Sequence, residues 1–241
     1  MGLKHKRNLD NRIKKGLLLG TSFTLTVVGL YLFLYKGRFL RKPKRNIPED
    51  NFIFVSPAMG KIVAVRKFDT DDFIEEKYND EDNISGAIKV FAGDVDYSGT
   101  IISIHLSLTD VHYQRCPIDA RVVKIEYVLG NFKNAISKSE GGKIRYQNEH
   151  CSILFETESG YRFKVVQIAG FVARKIHTFV KEGDFVKQGA VIGVIKMGSQ
   201  VTVVVPEVID VIAKAGEKVI DGETIIGLMN KSYEQTGEEN T

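Results

Sequence analysis

The sequence predicts a mainly β or α+β body behind one N-terminal transmembrane helix. Three features predict it: many short β-type runs after Phe52, an uncharged apolar segment at residues 16–35, and a repeated glycine-turn hairpin near the C-terminus. The 241 residues suffice for a sizeable core. Only two cysteines are present, Cys116 and Cys151, so neither a disulfide framework nor a zinc site is indicated. Both read as buried thiols.

The net charge of +4 hides an asymmetry. Residues 1–45 carry 12 Lys/Arg and a single acid, Asp10, for +11, which leaves −7 on the remainder. A basic head on an acidic body points to an anionic surface met by the head alone. The sequence between the basic clusters speaks against nucleic acid. Gly16 to Tyr35 reads GLLLGTSFTLTVVGLYLFLY, with only Thr and Ser as polar side chains apart from the tyrosines. As a helix it reaches about 30 Å, one hydrocarbon thickness. Tyr31 and Tyr35 fall near one end, where aromatic residues favour the interface. A cleaved signal peptide is the competing reading. It is disfavoured by the length of the run and by Lys36-Gly37-Arg38, which stands where small residues should be. Six Lys/Arg precede the segment and six follow it, so charge does not orient it. A re-entrant helix, broken at Gly20-Thr21-Ser22, is the other alternative.

The expected organisation is a basic segment (1–15), the anchor (16–36), a basic proline-bearing linker (37–51) and the body (52–241). Expected strands are Phe52–Val55, Lys61–Val65, Ala87–Phe91, Thr100–Leu106, Arg121–Tyr127, Ser152–Thr157, Arg162–Ile168, Val191–Ile195, Val201–Val205 and Thr224–Met229. The helix candidate of the body is Ala169–Val180. The acidic run Asp69–Asp82 reads as a solvated loop or a lid. Val180–Gly193 and Ile212–Gly227 repeat one hairpin, Gly183-Asp184-Phe-Val186-Lys-Gln188-Gly189 matching Gly216-Glu217-Lys-Val219-Ile-Asp221-Gly222 and each ending in an Ile-Gly pair. The pattern is similar to the turns of lipoyl and biotinyl carrier domains, and Ser56-Pro57-Ala58-Met59-Gly60-Lys61 has the same character. No lysine lies between methionines as a biotinyl acceptor would need.

Gly198-Ser199 interrupts what otherwise reads as strand from Val191 to Pro206. Glycine inside a strand marks a bulge or a close backbone approach. A neighbouring hydroxyl can attack such a peptide. Around this pair stand Asp110-Val111-His112-Tyr113-Gln114-Arg115-Cys116-Pro117, Asn148-Glu149-His150, Gln167-Ile168-Ala169-Gly170-Phe171-Val172-Ala173-Arg174, and Lys196-Met197-Gly198-Ser199-Gln200-Val201. In this order and spacing, from about Arg38 to Gly227, the chain resembles the phosphatidylserine decarboxylase family. It is most similar to the short, single-anchor prokaryotic type.

The resemblance implies self-cleavage at Gly198-Ser199, giving a large subunit (to 198) and a small one (199–241), with a pyruvoyl cofactor made from Ser199. That carbonyl would form a Schiff base with phosphatidylserine or a related serine phospholipid, yielding phosphatidylethanolamine and CO2. The implied setting is the cell (inner) membrane, single-pass, with the catalytic domain in the cytoplasm and an anionic phospholipid as partner. A homodimer is left open. His112 is the expected proton donor, since histidine both gives and regains a proton near neutrality. Asp110 would orient the loop or cap a turn. Arg115 would meet a substrate anion or form an ion pair. Asn148 and Glu149 would support the site by hydrogen bonds. His105 and His150 stand where the family more often has an apolar residue and an arginine; His105 reads as part of a polar strand face. Met59 departs from the family's Ser-Pro-Ala-Asp-Gly, whose acid assists cleavage; either His112, Asp110 or Glu149 would then serve as base, or cleavage would be slow, or the chain would not process. The alternatives are a non-processing, lipid-binding pseudoenzyme and a membrane-anchored lipoyl-like adaptor.

Overall fold

The computed structural model describes residues 2–33, 40–48, 50, 52–71, 84–96, 98–107, 109–130, 148–170, 175–195 and 199–230. It divides into two compact units, Met1–Arg41 and Lys42–Thr241. The first contains helix α1, Gly2–Leu32, unbroken through Gly20-Thr21-Ser22, so the re-entrant alternative is not what forms. Its hydroxyls bond back into the helix: Thr21 Oγ1 donates to Leu18 O (3.0 Å), Thr24 Oγ1 to Gly20 O (2.9 Å) and Thr26 Oγ1 to Ser22 O (2.9 Å). That is the solution an apolar surrounding demands of a polar side chain. Lys14–Leu32 is long and apolar enough to cross a membrane, and its leucines are exposed.

The second unit holds, among the described residues, fourteen strands and a short helix: β1 (Ile53–Val55), β2 (Gly60–Phe68), α2 (Ile84–Phe91), β3 (Gly99–Leu106), β4 (Tyr113–Arg115), β5 (Ala120–Val128), β6 (His150–Glu156), β7 (Arg162–Ile168), β8 (Ile176–Thr178), β9 (Phe185–Val186), β10 (Val191–Ile195), β11 (Ser199–Pro206), β12 (Ile209–Val211), β13 (Lys218–Val219) and β14 (Ile225–Met229). Eight form one sheet in the order β13-β2-β3-β11-β7-β6-β5-β9, and two three-stranded sheets run β1-β14-β12 and β4-β10-β8. Two-residue strands end the large sheet on both sides, leaving little edge to template aggregation. The central strands are buried on both faces. Val201, Val203 and Val205 join the larger core, while Val204 packs with Ile101, Val166 and Ile168 against Ala87, Ile88 and Phe91 of α2. This double burial makes β11 read as a near-continuous apolar run.

A pseudo-two-fold organises this unit. Val55 N–H donates to Pro117 O and Arg115 N–H to Pro57 O, at 3.0 and 2.9 Å. Gly222 N–H donates to Ser56 O and Gly189 N–H to Cys116 O, both at 2.8 Å. Met229 N–H donates to Phe52 O at 2.7 Å, as Ile195 N–H does to His112 O at 3.1 Å. Residues 52–62 thus correspond to 112–122. The β2–β3 and β5–β6 registers slip at corresponding points, Ile62/Ala64 and Val122/Lys124. Carried across the sheet, the operation exchanges Val203 with Val165, which are themselves paired, so the axis passes between β11 and β7. The glycine hairpins seen in the sequence are one part of this larger repeat. Gly189 and Gly222, with φ of 74° and 75°, occupy equivalent turns. Both touch Ile47 of the linker, and a Cβ on either would lie 2.5 or 2.8 Å from it.

Four expectations are corrected. Ala87–Phe91 lies in helix α2, because Ala87, Ile88 and Phe91 bury one side while Lys89 and Val90 stay exposed, a helical period that the Ile-Lys-Val-Phe composition concealed. Within Ala169–Val180, residues 176–178 form β8, paired with β10, in place of a helix; residues 171–174 lie outside the described set. The run Val191–Pro206 is two strands in different sheets. β4, β9, β12 and β13 were not anticipated, being two or three residues long. Most of the acidic run Asp69–Asp82 lies outside the described residues.

Candidate active site

The chain leaves the β4-β10-β8 sheet at Ile195 and enters the large sheet at Ser199. Gly198 lies outside the described residues. Ser199 therefore opens a strand of the second sheet, where sequence reading placed the Gly-Ser pair inside a single strand. Ser199 is paired with Leu106, and Gln200 lies between His105 on β3 and Ile168 on β7. The head of β11 is thereby fixed by its neighbours.

His112 is fully buried. Asp110 builds its approach: one carboxylate oxygen accepts from Ser107 N–H and Ser107 Oγ–H, both at 2.7 Å, and Asp110 N–H returns to Ser107 O at 3.1 Å. This is turn capping by a short acid. The turn presents Asp110 O to His112 Nδ1 at 2.9 Å. A carbonyl can only accept, so Nδ1 carries hydrogen and Nε2 is the nitrogen that can exchange a proton. The His112 carbonyl accepts from Ile195 N–H, three residues before Gly198, and from Gln114 Nε2 at 2.6 Å.

Asn148 and Glu149 act at the end of β7. Asn148 Nδ2 donates to Ala169 O (3.0 Å), and Ala169 N–H donates to Glu149 O (2.8 Å). The residue before Ala169 is Ile168, the partner of Gln200, so this clamp supports the strand beside the head of β11. The Glu149 carboxylate accepts from Tyr127 OH. Partial burial, then Glu149 itself, pushes the phenol pKa up to about 12. His150 is buried, with Nδ1 on Asn148 O (2.8 Å) and Phe91 edge-on at 5.2 Å. Burial pushes its pKa down. His105 is half-buried, opposite Lys61 and Gln200 in register.

Arg115 is committed elsewhere. Its Nε donates to Asp221 (2.8 Å), Nη1 to Gly189 O (2.7 Å) and Nη2 to Pro43 O (3.1 Å). Asp221, fully buried, also pairs with Arg45 of the linker. Arg115 thus forms an internal ion pair, with its fork filled by protein acceptors. Met59 borders this cluster, its Sδ 3.9 Å from Arg45 Nη2. Sequence reasoning missed Asp221 and Arg45; Asp221 replaces Gln188 in the repeat, a difference that could have drawn attention to it. It also passed over Gln114 and Gln167, although both stand within the motifs. Cys116 and Cys151 are free and buried, and desolvation raises the pKa of both thiols. Among the described residues no cluster suited to a metal ion occurs.

Comparison with known proteins matches residues 32–227 to the family described as phosphatidylserine decarboxylase. The chain is 35% identical over 210 residues to the phosphatidylserine decarboxylase proenzyme of Desulfotalea psychrophila, covering 87% of this chain and 81% of that protein. It is 35% identical over 212 residues to the corresponding proenzyme of Syntrophotalea carbinolica, covering 88% and 87%. It is also 34% identical over 211 residues to a putative archaetidylserine decarboxylase proenzyme of Methanothermobacter thermautotrophicus, covering 86% and 88%.

Proposed function

The chain belongs to the phosphatidylserine decarboxylase family, whose members are carboxy-lyases, and we propose that it is a membrane-anchored, self-processing decarboxylase of serine-headgroup phospholipid. The substrate is phosphatidylserine or its archaetidyl counterpart. Helix α1 holds the body at the cell membrane in a single pass with the body cytoplasmic, and the basic flanks draw in anionic lipid.

Maturation begins when Ser199 Oγ, giving its proton to His112, adds to the Gly198 carbonyl carbon. The Gly198–Ser199 C–N bond breaks, the nitrogen takes up a proton, and an ester links the two parts. Loss of the Ser199 α-proton expels the Gly198 carboxylate, and water then displaces the nitrogen as ammonia. Ser199 has become a pyruvoyl group at the head of the small subunit, and Gly198 ends the large one. Glycine suits the attacked side because no Cβ blocks approach.

The residues present fit such a group. It would head a strand whose next residue is held on both sides, and the polar groups of His112, Gln114 and Gln167 lie buried around the preceding strand end. A pyruvoyl carbonyl supplies an electron sink for loss of CO2 from an α-amino acid headgroup. His112 Nε2 then delivers a proton to the substrate α-carbon, its Nδ1 being held by Asp110 O. Asp110 and Glu149 accept hydrogen bonds from Ser107 and Tyr127, and Met59 cannot take a proton. Both proton roles therefore fall to His112.

The observation that supports this reading most is the bond from Ile195 N–H to His112 O, which ties the histidine to the strand leading into the cleaved peptide. The test is a denaturing gel with intact mass on membrane-expressed protein, followed by CO2 release from serine-headgroup lipid. The expected result is two chains, the smaller starting at residue 199 with a pyruvoyl-blocked N-terminus, and an intact 27.0 kDa chain for Ser199→Ala. A wild-type preparation that is active yet wholly intact refutes the proposal.

A further inference from the structure

The pseudo-two-fold separates what the scaffold requires from what has been added to it. One copy of the repeat reads Phe52-Ile53-Phe54-Val55; its counterpart reads His112-Tyr113-Gln114-Arg115. The main-chain bond to the neighbouring strand is common to both, from Met229 N–H to Phe52 O and from Ile195 N–H to His112 O. The side chains are not. Phe54 is a core residue stacked edge-on against Phe163 at 5.1 Å. Gln114, its counterpart, is also fully buried but polar. The axis between Val165 and Val203 likewise exchanges Gln167 with Val205. The fold therefore accepts an apolar pair at these two places, and only one copy has replaced it with amides.

The hydrogen bonds set the direction of both amides. The His112 carbonyl is an obligate acceptor, so Gln114 must turn its Nε2 towards it (2.6 Å). Gln114 Oε1 then faces Gln167 and receives its Nε2, also at 2.6 Å. Gln167 Oε1 is left buried without a hydrogen-bond partner among the described residues. A buried acceptor in that state is destabilising, whereas an apolar pair of the same shape is not. The bridge joins the His112 segment of one sheet to β7 of the other. It lies beside β10, the strand that leads to residues 196–198. It also needs Gly193, where a Cβ would lie 2.6 Å from Gln167 Nε2.

We propose that Gln114 and Gln167 are positioning residues for self-cleavage, a buried amide strut that fixes the His112 main chain between the two sheets, beside the strand end that leads towards the cleavage segment. The inference rests on the processing reaction proposed above. Small misplacements of a catalytic group are costly in rate, on the order of a hundredfold per ångström. A strut that costs stability is therefore retained where geometry, not stability, limits the reaction.

The test uses full-length chain made in membranes, with the double variant Gln114→Met/Gln167→Met, which replaces both amides at once, compared with wild type. Three quantities are read: the rate at which intact chain gives way to fragments, the dependence of that rate on pH, and the thermal midpoint. The expected result is cleavage slowed roughly tenfold to a hundredfold with a midpoint no lower than wild type. The limb of the rate–pH profile that His112→Ala abolishes should also be lost. Cleavage at the wild-type rate, or slowing matched by a fallen midpoint with an unchanged pH profile, overturns the strut. If the wild-type chain never cleaves, the processing reading itself fails and takes the inference with it; if wild type cleaves and the double variant does not differ from it, the inference alone falls.

Discussion

Replacing Asp221 by alanine strands two buried guanidinium groups at once. The carboxylate is fully buried, and the Arg45 and Arg115 side chains are 11% and 9% exposed. Removing one partner of a buried pair costs about 3–5 kcal/mol, because the charge left behind is uncompensated. Arg115 keeps its bonds to Gly189 O and Pro43 O. Arg45 Nε has no partner among the described residues even in the wild type, so the upper half of the range applies. For a body of this size each kcal/mol moves the thermal midpoint by about 2–4 °C, giving a fall of roughly 8–20 °C. The linker should loosen as well, since Arg45 and Pro43 are tied to the body through this cluster. The assay is a thermal melt of the detergent-solubilised full chain, with limited proteolysis between Arg41 and Arg45. A midpoint within about 2 °C of wild type, with no new cleavage in the linker, would refute the reasoning that the cluster is a buried, mutually dependent triad.

Other outcomes follow from the same geometry. After processing, the small fragment would supply β11 between β3 and β7 and β14 between β1 and β12, so the fragments should co-elute under native conditions and separate only in denaturant. The pKa of His150 is pushed below 6.5 in the fold, mainly by burial, while the unfolded chain titrates near 6.5. The unfolded state then binds more protons below that pH, so stability is complete above about 6.5 and drains as pH falls through the window beneath it. Denaturant midpoints between pH 7.5 and 5 should show this slope in the wild type and a shallower one in His150→Leu. Both cysteines, buried with raised pKa values, should resist a thiol reagent at about pH 8 until the chain unfolds. Gly193→Ala should both destabilise the body and slow cleavage, because the added methyl meets Gln167 Nε2 and the His177 carbonyl, which lies at 2.8 Å; normal cleavage in a folded variant would count against the packing described.

Composition and local pattern alone determined the long apolar N-terminal helix, the β-rich class and the motif residues, because each is written in consecutive side chains. An uncharged 20-residue run is long and apolar enough to cross a membrane whatever follows it, and Arg162–Ile168 is a strand by its own residues. Ala87–Phe91 failed for the same reason in reverse: its apolar residues suit either period, and the choice was made by the sheet face formed by Ile101, Val166 and Val204. Tertiary structure decided everything that depends on distant segments meeting. It gave Arg115 a buried ion-pair partner, Asp221, more than a hundred residues away, and it enlarged a pair of glycine hairpins into a two-fold repeat of the described strands. It moved Ser199 from a strand interior to the first position of a strand in a different sheet from β10. The sequence named the residues because their chemistry is local. Which of them meet was settled by strand register and burial, which are properties of the whole sheet.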